Sequence, residues 1–138
     1  MVALHSNETP VNVRLCKGIY QESEAIAFKS RDEINARYLT DLEFLFDHGI
    51  YVGIATHDRF LVTGAFELIQ KYGLSSRQYE FQMLFGVTPE LRTEIIAHGH
   101  HLRVYIPYGH DWFGYSTRRL RENPKMVGQI IKALFVRG

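Results

Sequence analysis

The fold is decided by residues 50–73, which read IYVGIATHDRFLVTGAFELIQKYG. Residues 50–55 are apolar or small and rich in β-branched side chains, which predicts a short buried strand. After a polar turn at residues 56–58, apolar side chains recur at helical spacing: Leu61, Ala65, Leu68, Ile69 and Tyr72. Gly73 is placed to end that helix in the left-handed conformation. This stretch therefore predicts one strand followed by one helix.

The same pattern of strand and helix recurs on both sides of that stretch. Further strands are predicted at residues 11–16, 79–84 and 102–106. A helix after the first strand should begin at a capping box from Ser30 to Glu33 and end at Gly49, with a stripe formed by Ile34, Tyr38, Leu42, Leu45 and Phe46. A later helix should have Thr88 as its N-cap and Gly99 at its end. Two helical segments, 111–122 and 125–136, should follow the last strand.

Alternating strands and helices predict an α/β fold with parallel strands joined by crossovers. About four such units are present in 138 residues. The alternatives are a small doubly wound sheet and part of a (β/α)8 barrel, also called a TIM-type barrel. The first strand lacks a glycine-rich phosphate loop after it, which weakens the nucleotide-binding doubly wound alternative. Since a full barrel needs at least about 200 residues, the chain can supply only about half of one.

Composition and charge narrow the class of protein. The apolar fraction is 46% and the net charge is +1, so the balance fits a globular chain and does not call for nucleic acid as a partner. No apolar run reaches the ~20 residues that span a bilayer, although a peripheral membrane contact stays open. Cys16 is the single cysteine, so no intramolecular disulfide can form, and we expect it to be a buried thiol in a strand.

Polar side chains stand at or after the carboxyl ends of three of the predicted strands, at the end where an α/β barrel carries its active site. They are Lys17, Tyr20, Thr56, His57, Asp58, Tyr105 and Tyr108. His57 could bind a phosphate or a metal or move a proton, or it could simply stabilise the start of the next helix beside Asp58. Arg118 and Arg119 suit a ligand carboxylate, although a solvated basic helix face is the alternative.

A histidine cluster, residues 98–101, looks like a metal site but is better explained by the end of a helix. Gly99 stops that helix, and histidines suit the negative end of its dipole. No cysteine or carboxylate stands at metal-ligand spacing nearby, so no metal is predicted.

Four motifs, in order, resemble the proline dehydrogenase family, and the spacing is that of its short monofunctional bacterial members. Residues 13–20, VRLCKGIY, resemble the VRLxKGxY strand end, and residues 55–58, ATHD, resemble the ATH[DN] motif. Residues 79–86, YEFQMLFG, resemble the YEFQMLxG strand. Residues 104–109, VYIPYG, followed by Tyr115 and residues 118–120, resemble the final strand and its helix. The resemblance implies the C-terminal half of a (β/α)8 barrel that oxidises L-proline to Δ1-pyrroline-5-carboxylate with FAD.

The resemblance also implies roles for individual residues. Arg14 would act catalytically, against the reactive edge of the flavin. Substrate would be held by Arg118 and Arg119 on its carboxylate and by Tyr105 and Tyr115 around its ring. The cofactor would be held by Lys17, Gly18, Ile19, Thr56, His57 and Glu122.

The resemblance implies partners and leaves alternatives open. A membrane quinone would reoxidise the flavin, so the expected location is the cytoplasm, with peripheral contact at the inner membrane left open. Residues 1–138 would form one partial barrel domain with an atypical lead-in at 1–12, and the chain would be a truncation, a split subunit or a fragment. The strands read as apolar on both faces, so a half-barrel would expose apolar surface that a homo-oligomer or a complementary N-terminal barrel chain should cover. The alternatives are an inactive half-barrel remnant or assembly piece, and a metal-dependent barrel hydrolase built on His57 and Asp58.

Overall fold

The computed structural model describes residues 11–18, 23, 25–106 and 109. Within them, one sheet contains four strands: β1 (Asn12–Cys16), β2 (Tyr51–Ala55), β3 (Tyr79–Leu84) and β4 (Leu102–Tyr105). Three helices alternate with the strands: α1 (Arg31–Asp47), α2 (Arg59–Lys71) and α3 (Pro89–Ala97). All the predicted strands are present, with ends within one residue of the expected ones. The segments expected to be helical at 111–122 and 125–136 lie outside the described residues.

The strands are parallel and lie in the order in which they occur along the chain, β1-β2-β3-β4. Arg14 pairs with Gly53, Gly53 pairs with Glu80, and Gln82 pairs with Arg103. A sheet that advances by one neighbouring strand per helix is the arrangement of a (β/α)8 barrel. The predicted fold class, an α/β half-barrel, is therefore confirmed.

The core lies between the helices and one face of the sheet, here called the helix face. Val52, Ile54 and Phe81 on this face are at most 1% exposed. Leu42 from α1 and Leu61 from α2 are fully buried against them. Burying each such side chain stabilises the fold by about 1.5–3 kcal/mol, so packing on the helix face provides most of the driving force for folding.

The opposite face of the sheet, here called the polar face, corrects one expectation. It carries Arg14 on β1, Glu80 and Gln82 on β3, and Arg103 and Tyr105 on β4. The strands are therefore not apolar on both faces. Alternation along each strand directs every second side chain to the polar face.

Cys16 is also exposed rather than buried. It occupies the last position of β1, where alternation turns its side chain to the same side as Arg14 and away from the helices.

The helix ends follow the predictions in part. Gly49 and Gly73 adopt positive φ angles of 66° and 59° directly after α1 and α2, as expected of left-handed caps, and Gly99 does the same after α3 with 79°. The predicted capping box of α1 is wrong, because the Ser30 side chain makes no cap hydrogen bond. Residues 30–33 are exposed, so water competes for the same groups. Thr88 lies at the N-cap of α3 without a side-chain cap, because its left-handed backbone departs from the extended geometry that capping needs.

Candidate active site

The polar face carries an arginine and a tyrosine in contact. The Arg14 guanidinium carbon lies 4.9 Å from the centre of the Tyr105 ring. Arg14 and Tyr105 come from the two outer strands of the described sheet, so the contact crosses β2 and β3. A guanidinium over a ring face is an attractive cation–π arrangement. This pair presents a planar cation and an aromatic ring together above the sheet.

Gly53 lacks a side chain and so leaves room on the polar face for the side chain of Gln82. It stands opposite Arg14 in the register of β1 and β2. A methyl group added at Gly53 would lie 2.3 Å from the Gln82 Nε2 atom and 2.9 Å from its Cδ atom. The Gln82 side chain therefore occupies the place that a side chain at residue 53 would take.

A chain of hydrogen bonds connects four side chains of the polar face. Arg103 donates to both carboxylate oxygens of Glu80, at 2.7 Å from Nε to Oε1 and 3.0 Å from Nη2 to Oε2. The Gln82 amide donates to Glu80 Oε1 at 2.8 Å, and the Tyr105 hydroxyl donates to Gln82 Oε1 at 3.0 Å. Burial raises the pKa of Glu80, but hydrogen bonds from Arg103, Gln82 and Tyr51 outweigh it, so the pKa lies below its ordinary value. Glu80 is therefore a carboxylate at neutral pH.

A second cluster lies beyond the carboxyl ends of β1 and β2, on what is here called the carboxyl rim. Lys17 Nζ lies 2.8 Å and Arg31 Nη2 lies 3.0 Å from Asp58 Oδ2. The other Asp58 oxygen accepts the Phe60 N–H at 3.1 Å and so caps α2. Burial raises the pKa of Asp58, but the bonds from Lys17 and Arg31 outweigh it and bring the pKa below its ordinary value.

His57 and Thr56 bond to the backbone of the rim. The Leu84 N–H donates to His57 Nε2 at 2.9 Å, which joins the end of β2 to the end of β3. Burial lowers the pKa of His57, so the ring is neutral with Nε2 as the acceptor. The Thr56 hydroxyl accepts the Asp58 N–H at 3.1 Å and keeps its own proton to donate.

The comparisons with known proteins agree on one family. A family model described as proline dehydrogenase matches residues 2–132. The chain belongs to the proline dehydrogenase family. Among curated relatives, proline dehydrogenase 1 of Bacillus subtilis strain 168 is 36% identical over 123 residues, which are 89% of this chain and 41% of that protein. Proline dehydrogenase 2 of the same strain is 35% identical over 122 residues, 88% of this chain and 40% of the relative.

A relative from another bacterium matches over a similar length. Proline dehydrogenase of Deinococcus radiodurans is 31% identical over 126 residues, which are 89% of this chain and 40% of that protein. The chain spans about two fifths of the length of the curated relatives it matches. The family suggested by the four motifs is thereby confirmed.

The structure brings together some of the residues that the proline dehydrogenase motifs single out. Arg14 and Tyr105 are in contact on the polar face. Lys17, Thr56 and His57 follow the strand ends on the carboxyl rim, and exposed Gly18 lies beside Lys17. The remaining predicted site residues lie outside the described residues: Ile19, Tyr115, Arg118, Arg119 and Glu122, together with Tyr20 and Tyr108 of the predicted rim.

No role was predicted from the sequence for three residues that hold the polar face in place: Glu80, Gln82 and Arg103. The signal was present in β3, where Glu80 and Gln82 alternate with Tyr79, Phe81 and Met83. Two polar residues at period two in an otherwise apolar strand indicate a second, polar side of the sheet.

The histidine cluster has a structural explanation. Tyr79 hydroxyl and His100 Nδ1 lie 2.7 Å apart, and the His100 ring stacks on Phe66 with centres 4.5 Å apart. His98 Nδ1 lies 2.8 Å from the Glu94 carbonyl oxygen of the preceding turn. Among the described residues, no group of three or more His, Cys, Asp or Glu is placed to hold a metal ion.

No helix in the described part of the chain is long and apolar enough to cross a membrane.

Proposed function

We propose that this chain forms part of an FAD-dependent enzyme that oxidises L-proline to Δ1-pyrroline-5-carboxylate. The observation that carries the proposal is the Arg14–Tyr105 pair on an open polar face, in a chain of the proline dehydrogenase family. The pair supplies a planar cation and an aromatic wall on one surface, which is what a planar cofactor and a small ring substrate need from a protein.

The described residues fit the flavin. Arg14 is exposed on the polar face, and a guanidinium donates several hydrogen bonds in one plane, which suits the carbonyl oxygens and nitrogens of an isoalloxazine ring. Lys17 adds a second cation at the carboxyl rim, and the Thr56 hydroxyl has a proton to donate. FAD, when bound, supplies the hydride acceptor. Gly18, His57, Ile19 and Glu122 complete the proposed set of cofactor-binding residues.

The substrate is proposed to lie against the ring of Tyr105. Tyr105 is 36% exposed, so one side of the ring is free to contact a ligand. Tyr115 would form another wall, and Arg118 and Arg119 would pair with the proline carboxylate, because guanidinium groups bind carboxylates through two parallel hydrogen bonds. A carboxylate clamp and a ring wall together fix the orientation of proline, which lowers the entropic part of the barrier.

The chemistry asks for positioning more than for acid–base catalysis. The lone pair of the neutral amine forms the C=N bond as hydride leaves the adjacent ring carbon. The resulting iminium then loses its N–H proton to water. The protein must therefore hold the reacting carbon in place and exclude water from the hydride path.

The wider partners are proposals of the same kind. A membrane quinone would take the electrons, which places the enzyme in the cytoplasm with peripheral contact at the inner membrane. β1 and β4 are the outer strands of the described sheet, and such strands pair readily with another strand. A complementary N-terminal barrel chain or a second copy would supply that pairing. Light scattering on the purified chain separates a complex from an inactive monomeric remnant.

Flavin binding is the direct test of the proposed function. The purified chain should bind FAD, with weak or no reduction of a dye by proline while the rest of the barrel is missing, and Arg14→Ala should weaken FAD binding about 10–150-fold, the value of a charge-assisted bond. The matched control is Arg77→Ala, an exposed arginine just before β3 at the opposite edge of the sheet, which should leave FAD binding unchanged. Equal FAD affinity in both variants would refute the role of Arg14, and stoichiometric zinc without flavin binding would overturn the proposal in favour of the metal-dependent hydrolase.

Two further variants examine the other proposed contacts. In a complete barrel, Arg118→Ala and Arg119→Ala should each weaken proline binding about 10–150-fold, and Lys at either position should rescue only in part because it lacks the planar fork. His57→Ala should lower flavin content. If His57→Ala loses thermal stability without any specific loss of flavin, His57 serves the fold alone.

A further inference from the structure

Gln82 lies at the centre of the polar face without being part of the proposed contacts with proline or FAD. Its side chain is buried, with the residue 7% exposed. Both ends of its amide are used, since Nε2 donates to Glu80 and Oε1 accepts from Tyr105. A buried side chain with both ends engaged is held in one orientation.

The polarity of the hydrogen-bond chain is determined from its far end. Arg103 can only donate, so Glu80, which it grips with two nitrogens, is held as an acceptor. Glu80 therefore requires the NH2 end of the Gln82 amide. The amide oxygen then faces Tyr105, whose hydroxyl must donate. Four residues on two strands thus specify the direction in which the Tyr105 hydroxyl bonds.

The same chain acts on the tyrosine ring and on the arginine above it. A hydroxyl tethered at 3.0 Å restricts the tilt of the ring to which it is attached. The Arg14 guanidinium rests on that ring, so its position depends on the tilt. Gly53 is required for this arrangement because a side chain there would displace Gln82.

From this geometry we infer that Gln82 is a positioning residue that determines selectivity for a ring-bearing amino acid. It acts through Tyr105, by holding the ring at the angle at which it contacts the flat side of the substrate. The inference rests on the proposed function, in which Tyr105 forms a wall of the proline site. A ligand with the same secondary amine and carboxylate but no ring gains nothing from that wall.

The test compares L-proline with N-methylglycine, which has a secondary amine and a carboxylate but no ring. In the FAD-supplemented chain, Gln82→Met should weaken proline binding about five-fold, the loss of one neutral hydrogen bond, and leave N-methylglycine binding within two-fold, about the scatter of such measurements. In the double variant Glu80→Gln with Gln82→Glu, the amide at position 80 donates to the carboxylate at position 82, which accepts from the Tyr105 hydroxyl. This variant should recover most of the proline affinity. Equal losses for both ligands, or no rescue, would overturn the inference.

A second measurement keeps the inference distinct from the proposed function. In chains labelled with 3-fluorotyrosine, the ¹⁹F signal assigned through Tyr105→Phe should shift and broaden in Gln82→Met and return in the double variant. The control Gln78→Met removes an exposed glutamine bonded to Ser75, just before β3, and should leave that signal unmoved. If the wild-type chain binds no proline, the proposed function fails, whereas an unmoved Tyr105 signal in Gln82→Met refutes the positioning role.

Discussion

Replacing Gly53 with Ala tests the close packing of the polar face. The new Cβ atom would lie 2.3 Å from Gln82 Nε2, whereas ordinary contact begins at 3.4 Å. The amide must therefore retreat by about 1 Å, which is too far for its bonds to Glu80 at 2.8 Å and Tyr105 at 3.0 Å to survive unchanged. The perturbation is a one-carbon change with a consequence in three other side chains.

The magnitude follows from the bonds at stake. The bond to the Glu80 carboxylate is charge-assisted and worth about 1.5–3 kcal/mol, and the bond from Tyr105 is worth about 0.5–1.5 kcal/mol. Alanine opposes this loss by about 0.5–1 kcal/mol because it restricts the unfolded chain more than glycine does. Water reaches Tyr105, which is partly exposed, so the lower ends of the ranges apply. The net result should be a loss of about 1–3 kcal/mol in the free energy of unfolding.

Urea unfolding of a double-mutant cycle measures this loss. Gly53→Ala should be costly in the wild-type background and nearly neutral in Gln82→Ala, where the obstructing amide is gone. Gly18→Ala is the control, since no heavy atom of the described residues lies within 4 Å of the added carbon, and it should change stability by less than about 0.5 kcal/mol. An equal cost of Gly53→Ala in both backgrounds would refute the packing argument.

Three other predictions concern the core and the carboxyl rim. Ile54 is fully buried, so Ile54→Ala should lower the free energy of unfolding by about 2–5 kcal/mol in urea titration, and a value under about 1 kcal/mol would contradict a closed core. Although burial alone raises the pKa of Asp58, Lys17 brings it below the ordinary value; its stabilisation should be complete above about pH 4 and be lost as pH falls through the folded-state pKa. Thermal unfolding of Asp58→Asn should show a flatter acid limb than the wild type, and parallel limbs would count against the pairing. Because burial lowers the pKa of His57, its stabilisation should be complete above about pH 6.5 and be lost as pH falls through the lower folded-state pKa. His57→Gln keeps an acceptor for the Leu84 N–H, so its thermal unfolding should lack that pH dependence. If the dependence persists, a group other than His57 causes it.

The order of strands and helices could be predicted because it depends on local patterns. Apolar runs marked every strand of the described sheet to within one residue, and Gly49, Gly73 and Gly99 marked helix ends where a positive φ angle is needed. Caps were less predictable. Ser30 and Thr88 have the right chemistry for an N-cap, but solvent at one and a left-handed backbone at the other prevent the bond.

The residues of the candidate site that stand in family motifs could be predicted, whereas the packing contacts between side chains could not. Arg14, Lys17, Thr56, His57 and Tyr105 stand in family motifs, and the structure places them on the polar face or the carboxyl rim. That placement follows from parallel strands, whose carboxyl ends share one edge of the sheet.

The sequence by itself determined the family and the parallel α/β architecture, since both depend on residues close together in the chain. Only the tertiary structure decided that Arg14 rests on Tyr105 and that Gln82 occupies the space above Gly53. These contacts join residues that lie 91 and 29 positions apart in the sequence, and no local pattern encodes which side chain fills the gap left by a distant glycine. The register of β1, β2 and β3 creates that gap, and the hydrogen bonds of Glu80 and Arg103 determine how it is filled.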